Sequence, residues 1–247
     1  MTSSLNIADA AFQIEPRIAL PEDEVHLWQV DLASVAAGEK RWEQILSSDE
    51  RARAARFHFP KDRQYFTATR ALLRTILGSY VDSDPSALVF RYSEKEKPSL
   101  TPSQSASPVE FNVSHSGAIA LLGFARGRAI GVDVEQVREN FDHEAIARRF
   151  FSEEEQQQLA ALDPSERHRA FFRCWTRKEA YIKAQGTGLS LPLKQFDVSL
   201  RPGDLDALLS TRPDSTEAAR WSLGEVPAGA DYVAALCVRG HGWRLKS

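Results

Sequence analysis

The segment GVDVE, residues 131–135, carries two carboxylates two positions apart. In a strand, Val132 and Val134 would point into the core, while Asp133 and Glu135 would lie side by side on the other face. Adjacent carboxylates repel each other unless a cation lies between them. Mg²⁺ suits this position because it is held by one or two carboxylates, with waters and substrate phosphates completing its octahedron. A solvated strand face is the commoner explanation of a lone DxE, so other parts of the chain must decide.

A second group of chemically capable residues lies in RCWTRKEAYIKAQGTGLSLPL, residues 173–193. The spacing predicts a helix that sets Trp175, Glu179 and Lys183 along one side. Glu179 can serve as a third carboxylate, and Lys183, one turn later, can neutralise a phosphate or position a nucleophile. An ordinary i,i+4 ion pair and a core tryptophan explain the same residues.

The third group is FNVSHSG, residues 111–117. Ser114, His115 and Ser116 follow a predicted strand and precede Gly117, where hydroxyls, an imidazole and backbone amides can converge on a phosphate. A hydrogen-bonded turn histidine is the alternative. The sequence contains no GxSxG, GxxxxGK[ST] or GxGxxG, so it lacks the usual markers of serine hydrolases, nucleoside triphosphate sites and dinucleotide sites.

Composition limits the partners that these groups can meet. The 247 residues are 43% hydrophobic and 26% charged with a net charge of -3, as in an ordinary soluble globular protein, and this charge does not favour nucleic acid. The longest apolar run, residues 118–125, is too short for a membrane span. The N-terminus lacks the positive region of a secretory signal. Cys174 and Cys237 fit no metal-ligand spacing, and we expect buried thiols in a reducing cytoplasm.

The elements that must position the three groups are helices and strands that alternate along the chain. Two capping boxes, Ser47 with Glu50 and Ser152 with Glu155, predict helix starts. Long helices follow Pro60, to Gly78, and Pro164, to Gly186. Strands are predicted at 25–32, 87–93, 109–117, 118–125, 129–137, 231–240 and 242–246, and a loop at 94–108. A faint echo between ARFHFPKD and ARRFFSEE permits a boundary near residue 122.

FNVSHSG, GVDVE and WTRKEAYIKAQGTGLSLPL, in this order, resemble the Sfp-type (surfactin-type) 4'-phosphopantetheinyl transferases from about Arg51 to about Val198. The resemblance implies an α+β fold made of two similar α+β halves, a pseudo-dimer within one monomer, with coenzyme A in the cleft. We therefore expect a flexible tail at residues 1–20, an N-terminal half at 21–122 and a C-terminal half with the metal carboxylates at 123–247.

The same resemblance implies transfer of 4'-phosphopantetheine from coenzyme A to a serine of an acyl or peptidyl carrier protein, with release of adenosine 3',5'-bisphosphate. Asp133, Glu135 and Glu179 would bind Mg²⁺, with Mn²⁺ as a substitute. Lys183 would lie beside the transferred phosphate. The base that takes the serine proton would be Glu179 or Glu135, directly or through a metal-bound water.

The resemblance also assigns residues to the nucleotide end of coenzyme A. Ser114 and His115 would hold it, with His115 at the 3'-phosphate. The family's Gly-Lys-Pro segment reads EKP here, so Lys97 and Pro98 match while Glu96 replaces glycine. Further basic candidates from the same comparison are Arg56, Arg63 and Lys178.

Two other classes of function are compatible with these residues. A Mg²⁺-dependent phosphodiester or pyrophosphate hydrolase could use the same carboxylates without a carrier. A catalytically idle protein that binds coenzyme A or a carrier would keep the fold, although the presence of all three carboxylates and Lys183 argues against idleness.

Overall fold

The computed structural model describes residues 17–35, 39–95, 97–101, 108–138 and 142–247. Most of the predicted tail, residues 1–16, lies outside the described residues, as do Glu96 and residues 102–107 of the predicted loop. The helices are α1 Leu32–Val35, α2 Glu39–Ile45, α3 Ser48–Ala54, α4 Pro60–Val81, α5 His143–Phe150, α6 Glu153–Ala161 and α7 Pro164–Gln185. The strands are β1 Glu24–Asp31, β2 Phe90–Tyr92, β3 Pro98–Leu100, β4 Val109–Ser116, β5 Ile119–Arg126, β6 Ile130–Gln136, β7 Phe196–Val198, β8 Leu208–Thr211, β9 Trp221–Val226, β10 Tyr232–Arg239 and β11 Arg244–Lys246.

Two sheets and two long helices organise the described part of the chain. One sheet has the strand order β11-β1-β5-β4 and the other β6-β10-β9. Apolar side chains of both sheets, including Leu121 and Val132, form one core cluster between them. Leu72 and Ile76 of α4 belong to a core with the first sheet, and Phe171 and Tyr181 of α7 to a core with the second. The architecture is α+β, as predicted.

The two long helices begin and end in comparable ways. Each has 22 residues and starts with a proline in its first turn, where the missing N–H has no helical partner to lose. Each ends at a residue in the left-handed region, Asp82 after α4 and Gly186 after α7. The capping boxes at Ser47 and Ser152 start α3 and α6, as predicted.

Several local features differ from the sequence-based expectations. α4 continues past Gly78 to Val81. Gly78 does not end the helix but leaves room for the turn after it, because a Cβ there would lie 2.6 Å from the Ser83 carbonyl oxygen. The predicted loop at 94–108 contains β3. At the end of the predicted tail, Ile18 donates to the Ser79 carbonyl and Leu20 is buried. Residue 122 lies inside β5, and the boundary between the halves stays a prediction.

Among the described residues, no helix combines the length and apolar character that crossing a bilayer requires.

Candidate active site

The site begins with the contact between α7 and β6. Gly131 of β6 lies so close to α7 that a Cβ on it would be 2.1 Å from the Ala180 carbonyl oxygen. Only glycine permits this approach, because real Cβ atoms do not come this close to another heavy atom. Asp133 and Glu135 alternate with the core valines and share the face of Gly131, so they are directed to the side of the strand that α7 covers.

Lys183 of α7 joins this face through an ion pair. Its Nζ lies 2.6 Å from Asp133 Oδ1 and donates a hydrogen bond of 3.2 Å to Ser114 Oγ. The Ser114 hydroxyl in turn donates to Asp133 Oδ1 over 2.8 Å. Asp133 is only 3% exposed, so the pair lies where charge interactions are stronger than in water. Three motifs that are distant in the sequence thus meet at one carboxylate.

A row of β4 side chains completes the arrangement. Asn112, Ser114 and Ser116 alternate along β4, and each accepts a hydrogen bond from a backbone amide of β6. The amides are those of Val132 at 2.9 Å, Val134 at 3.4 Å and Gln136 at 3.1 Å. Ser116 also donates to Glu135 Oε2 over 2.9 Å, as Ser114 does to Asp133. The row therefore joins the two sheets and orients both carboxylates of β6.

The carboxylates raise one another's proton affinity. Burial raises the pKa of Glu179 to about 7; Lys183 opposes the shift, and the charges of Asp133 and Glu135 add to it. Burial and the charge of Asp133 also raise the pKa of Glu135, against the Ser116 hydrogen bond. Burial disfavours the Lys183 ammonium, but the ion pair with Asp133 outweighs it and raises the pKa of Lys183. The site is thus a partly buried cluster with excess negative charge.

This donor set is compatible with a divalent cation. Asp133 Oδ2 is buried and has no hydrogen-bond partner among the described residues, so its lone pairs are available to a cation. A cation would also relieve the carboxylate repulsion that raises the pKa values of Glu135 and Glu179. Within the described ranges, no three Asp, Glu, His or Cys side chains already stand in a metal-binding arrangement. Lys183 is the cation beside Asp133.

Known proteins match both parts of the chain. Residues 129–237 match the 4'-phosphopantetheinyl transferase superfamily, and residues 37–125 match the N-terminal region of a 4'-phosphopantetheinyl transferase. The 4'-phosphopantetheinyl transferase HetI of Nostoc sp. is 40% identical over 231 residues, 94% of each chain. The family is decided by this match. The chain belongs to the 4'-phosphopantetheinyl transferases.

Two further proteins are similar to this transferase. The 4'-phosphopantetheinyl transferase Sfp of Bacillus subtilis is 32% identical over 199 residues, 80% of this chain and 84% of the relative. A structure described as an ACPS-CoA complex from Chronobacterium ammoniagenes aligns with 47% of this chain and 98% of its own, with 19% identity and a TM-score of 0.34.

His115 of the transferase borders the cluster on its exposed side. The ring is exposed, while its neighbours on either side, Ser114 and Ser116, are buried, as strand alternation requires. Surrounding protein atoms and the positive charge of Lys183 lower the pKa of His115, and Asp62 at the start of α4 opposes them. The imidazole therefore faces solvent between the cluster and α4.

Lys97 makes contacts that the sequence did not suggest. Its Nζ donates to the carbonyl oxygens of Lys183 at 2.7 Å, Ile130 at 3.2 Å and Ala184 at 3.4 Å. Two of these carbonyls belong to the last turn of α7, where the backbone carbonyl oxygens have no helical N–H donors. All three N–H bonds of the ammonium are thus directed at the backbone of α7 and β6. Pro98 follows at the start of β3.

The other basic candidates lie in different surroundings. Arg56 is exposed just after α3, and Arg63 in the first turn of α4 pairs with Glu43 at 2.7 Å. Lys178 is fully buried and pairs with Glu155 at 2.8 Å while donating to two backbone carbonyls, so it supports the fold and not a ligand. Trp175 stacks on Phe171 and packs against the core of the second sheet, so it is the core tryptophan that the sequence allowed as an alternative.

Sequence reasoning passed over Asn112 as a functional residue, and it placed Ser116 at a phosphate without foreseeing its hydrogen bond to Glu135. The available signal was the two-residue spacing Asn112, Ser114, Ser116, which puts three hydrogen-bonding side chains on one face of a strand. Their partners could not be foreseen, because β4 and β6 meet only in the tertiary structure.

Proposed function

We propose that this transferase uses the cluster around Asp133 to move the 4'-phosphopantetheine arm of coenzyme A to a serine of an acyl or peptidyl carrier protein. The observation that supports the proposal is the meeting of Lys183, Ser114 and Asp133 within hydrogen-bond distance, beside Glu135 and Glu179. A phosphoryl-type transfer needs this combination, because it proceeds by positioning and charge stabilisation rather than by a covalent enzyme intermediate.

Asp133, Glu135 and Glu179 would hold Mg²⁺, or Mn²⁺ in its place, and the buried Asp133 Oδ2 without a partner fits that role. When bound, the cation would offset the charge of the pyrophosphate as the phosphoanhydride breaks. Lys183 would add a positive charge at the same phosphate. Its raised pKa keeps it protonated at neutral pH.

The carrier serine supplies the nucleophile. Its oxygen forms a bond to the phosphorus that bears the pantetheine arm, the bond from that phosphorus to the bridging oxygen breaks, and adenosine 3',5'-bisphosphate leaves. The serine proton passes to a carboxylate of the site, and we propose Glu179. Ser116 already donates to Glu135, whereas no hydrogen bond reaches the Glu179 carboxylate within the described part of the chain. Glu135 is the second candidate.

The nucleotide end of coenzyme A would lie along Ser114 and the exposed His115, with the 3'-phosphate at His115. Arg56 and Arg63 are proposed for the rim, since Asp62, next to Arg63, lies close enough to affect the pKa of His115. Pro98 would border the same side through the β2–β3 hairpin. We further propose a monomer that acts in the cytoplasm, where its free buried cysteines stay reduced.

The test is the intact mass of an apo carrier after incubation with the protein, coenzyme A and Mg²⁺. The expected result is a gain of about 340 Da, the mass of one covalently attached phosphopantetheine. The gain should vanish without the metal and in Asp133→Ala, and persist in Asp206→Ala, which removes an exposed carboxylate elsewhere.

Carriers from fatty acid, polyketide and nonribosomal peptide synthesis should be compared. Release of free phosphopantetheine without any carrier would favour a hydrolase. Binding of coenzyme A without a mass gain on any of the carriers would favour an idle binding protein.

A further inference from the structure

A cavity lies towards the N-terminal end of α7, away from Lys183. Its volume is about 760 Å³, and it opens between the ends of α6 and α7 on one side and residues 199–204 and Leu209 on the other. This volume is within the range of small-molecule sites, roughly 300–1,000 Å³. The transfer chemistry proposed above uses none of its lining residues.

Arg173 is the distinctive side chain of this cavity. It is 8% exposed, and its Nε donates to the Leu200 carbonyl over 2.9 Å. Its two Nη atoms have no hydrogen-bond or ion-pair partner among the described residues. Arg177, one turn along, differs because its Nη atoms donate to the Ser199 and Arg201 carbonyls. Arg173 therefore offers two unused Nη donors at the cavity wall, and the carboxylates of Glu225 and Glu166 act on its charge without forming an ion pair with it.

The cavity wall defines the kind of anion that fits. Three arginines and two carboxylates line it, which leaves one net positive charge and favours a monoanion over a dianion. The paired Nη atoms of a guanidinium match the two oxygens of a carboxylate. The remaining wall is largely apolar and suits a hydrocarbon body. The apolar lining residues are Ala161, Leu162, Leu200, Pro202 and Leu209.

We propose that this cavity binds a monocarboxylate with an apolar body, of the size of a medium-chain fatty acid, and that Arg173 holds its carboxylate. Such a site is separate from the transfer site and does not depend on the function proposed for it. The ligand's hydrocarbon part would lie along Leu162, Leu200 and Leu209.

The probe is octanoate, titrated into the full chain by isothermal titration calorimetry. A ligand of about ten heavy atoms should bind with a dissociation constant on the order of 0.1–1 mM. Arg173→Met should weaken binding at least about tenfold, and Arg173→Lys should do so less, because it keeps the charge but loses the fork. Octanol and octylamine, which lack the carboxylate, should show no comparable binding.

An exposed pair of leucines provides a test that does not disturb a buried residue. Leu209 is 53% exposed and lines the cavity, while Leu205 is 75% exposed and does not. Leu209→Asp should weaken octanoate binding at least about tenfold, because the new carboxylate replaces an apolar part of the wall and repels the anion. Leu205→Asp should leave octanoate binding unchanged. The proposal is overturned if the unaltered protein does not bind octanoate, if both leucine variants bind equally, or if octyl phosphate binds more tightly than octanoate.

Discussion

Replacing Lys97 with methionine separates two roles for this side chain. The resemblance to Sfp-type enzymes assigns the ammonium to the 3'-phosphate of coenzyme A, whereas in the structure it donates to three backbone carbonyls at the end of α7 and on β6. Methionine keeps the apolar stem and removes the donors. We expect Lys97→Met to loosen the C-terminal turn of α7, which carries Lys183.

The size of the effect follows from the contacts. A hydrogen bond to a charged group contributes about 1.5–3 kcal/mol. The three bonds here share one ammonium, whose burial opposes its charge and lowers the pKa of Lys97. We therefore expect a net loss of about 2–3 kcal/mol in the free energy of unfolding. For a chain of this length that corresponds to a fall of roughly 4–12 °C in Tm.

The assay combines Tm with kcat/KM measured on coenzyme A and on 3'-dephospho-coenzyme A. If Lys97 braces α7, Lys97→Met lowers kcat/KM for both substrates by the same factor. If it binds the 3'-phosphate, the loss is about 10–150-fold larger on coenzyme A, as expected for a lost charge-assisted contact. Lys95→Met, in the same exposed turn, is the matched control. An unchanged Tm with a selective loss on coenzyme A would refute the bracing role.

Three further substitutions test the surroundings of the site. Gly131→Ala should reduce transfer at least about 100-fold, because the new Cβ collides with the backbone of α7; an active, equally stable variant would contradict the close approach. Ser116→Ala should lower kcat/KM about tenfold and raise the Mg²⁺ concentration needed for half-maximal rate, since Glu135 loses its hydrogen bond; an unchanged Mg²⁺ requirement would count against this positioning role. Glu50→Gln should cost about 3–5 kcal/mol in urea unfolding, because Arg74, 1% exposed, loses its carboxylate partner at 2.5 Å; a loss below about 1 kcal/mol would be inconsistent with a buried pair.

The same Glu50 pair has a defined pH dependence. Burial disfavours the charged form, but Arg70 and Arg74 outweigh it and hold the pKa of Glu50 below its usual value. A lowered folded-state pKa means that the stabilisation is complete above the unfolded pKa, about 4.3, and is lost as the pH falls through the folded value. Urea midpoints measured from pH 6 down to pH 3 should fall less steeply for Glu50→Gln than for the unaltered protein. Parallel slopes would contradict this explanation.

The parts of the site that depend on local periodicity could be predicted from the sequence. Alternation in GVDVE was enough to put Asp133 and Glu135 on one face of a strand, and helical spacing was enough to put Glu179 near Lys183. The capping boxes and the prolines before α4 and α7 located helix starts for the same reason, since each depends on neighbours within one turn.

The parts that depend on tertiary contacts could not be predicted. Lys97 reaches the end of α7 across 86 positions of sequence, so no local pattern distinguishes this contact from a phosphate site. Gly78 looked like a helix end because glycine often ends helices. Its actual role, to leave room for the Ser83 carbonyl, depends on the turn that follows the helix and has no local signal. The short strands β7 and β8 carry too few residues to establish a period.

The row of β4 side chains against β6 has a consequence for how this segment can vary. Because every second residue from Asn112 to Ser116 holds the neighbouring strand, the intervening His115 is free to face solvent. Inserting or deleting a single residue there would exchange the side chains that face β6 with those that face solvent. The imidazole would then be buried between β4 and β6, and the hydroxyls would be exposed. The segment can therefore tolerate replacement of individual side chains more readily than any change in its length.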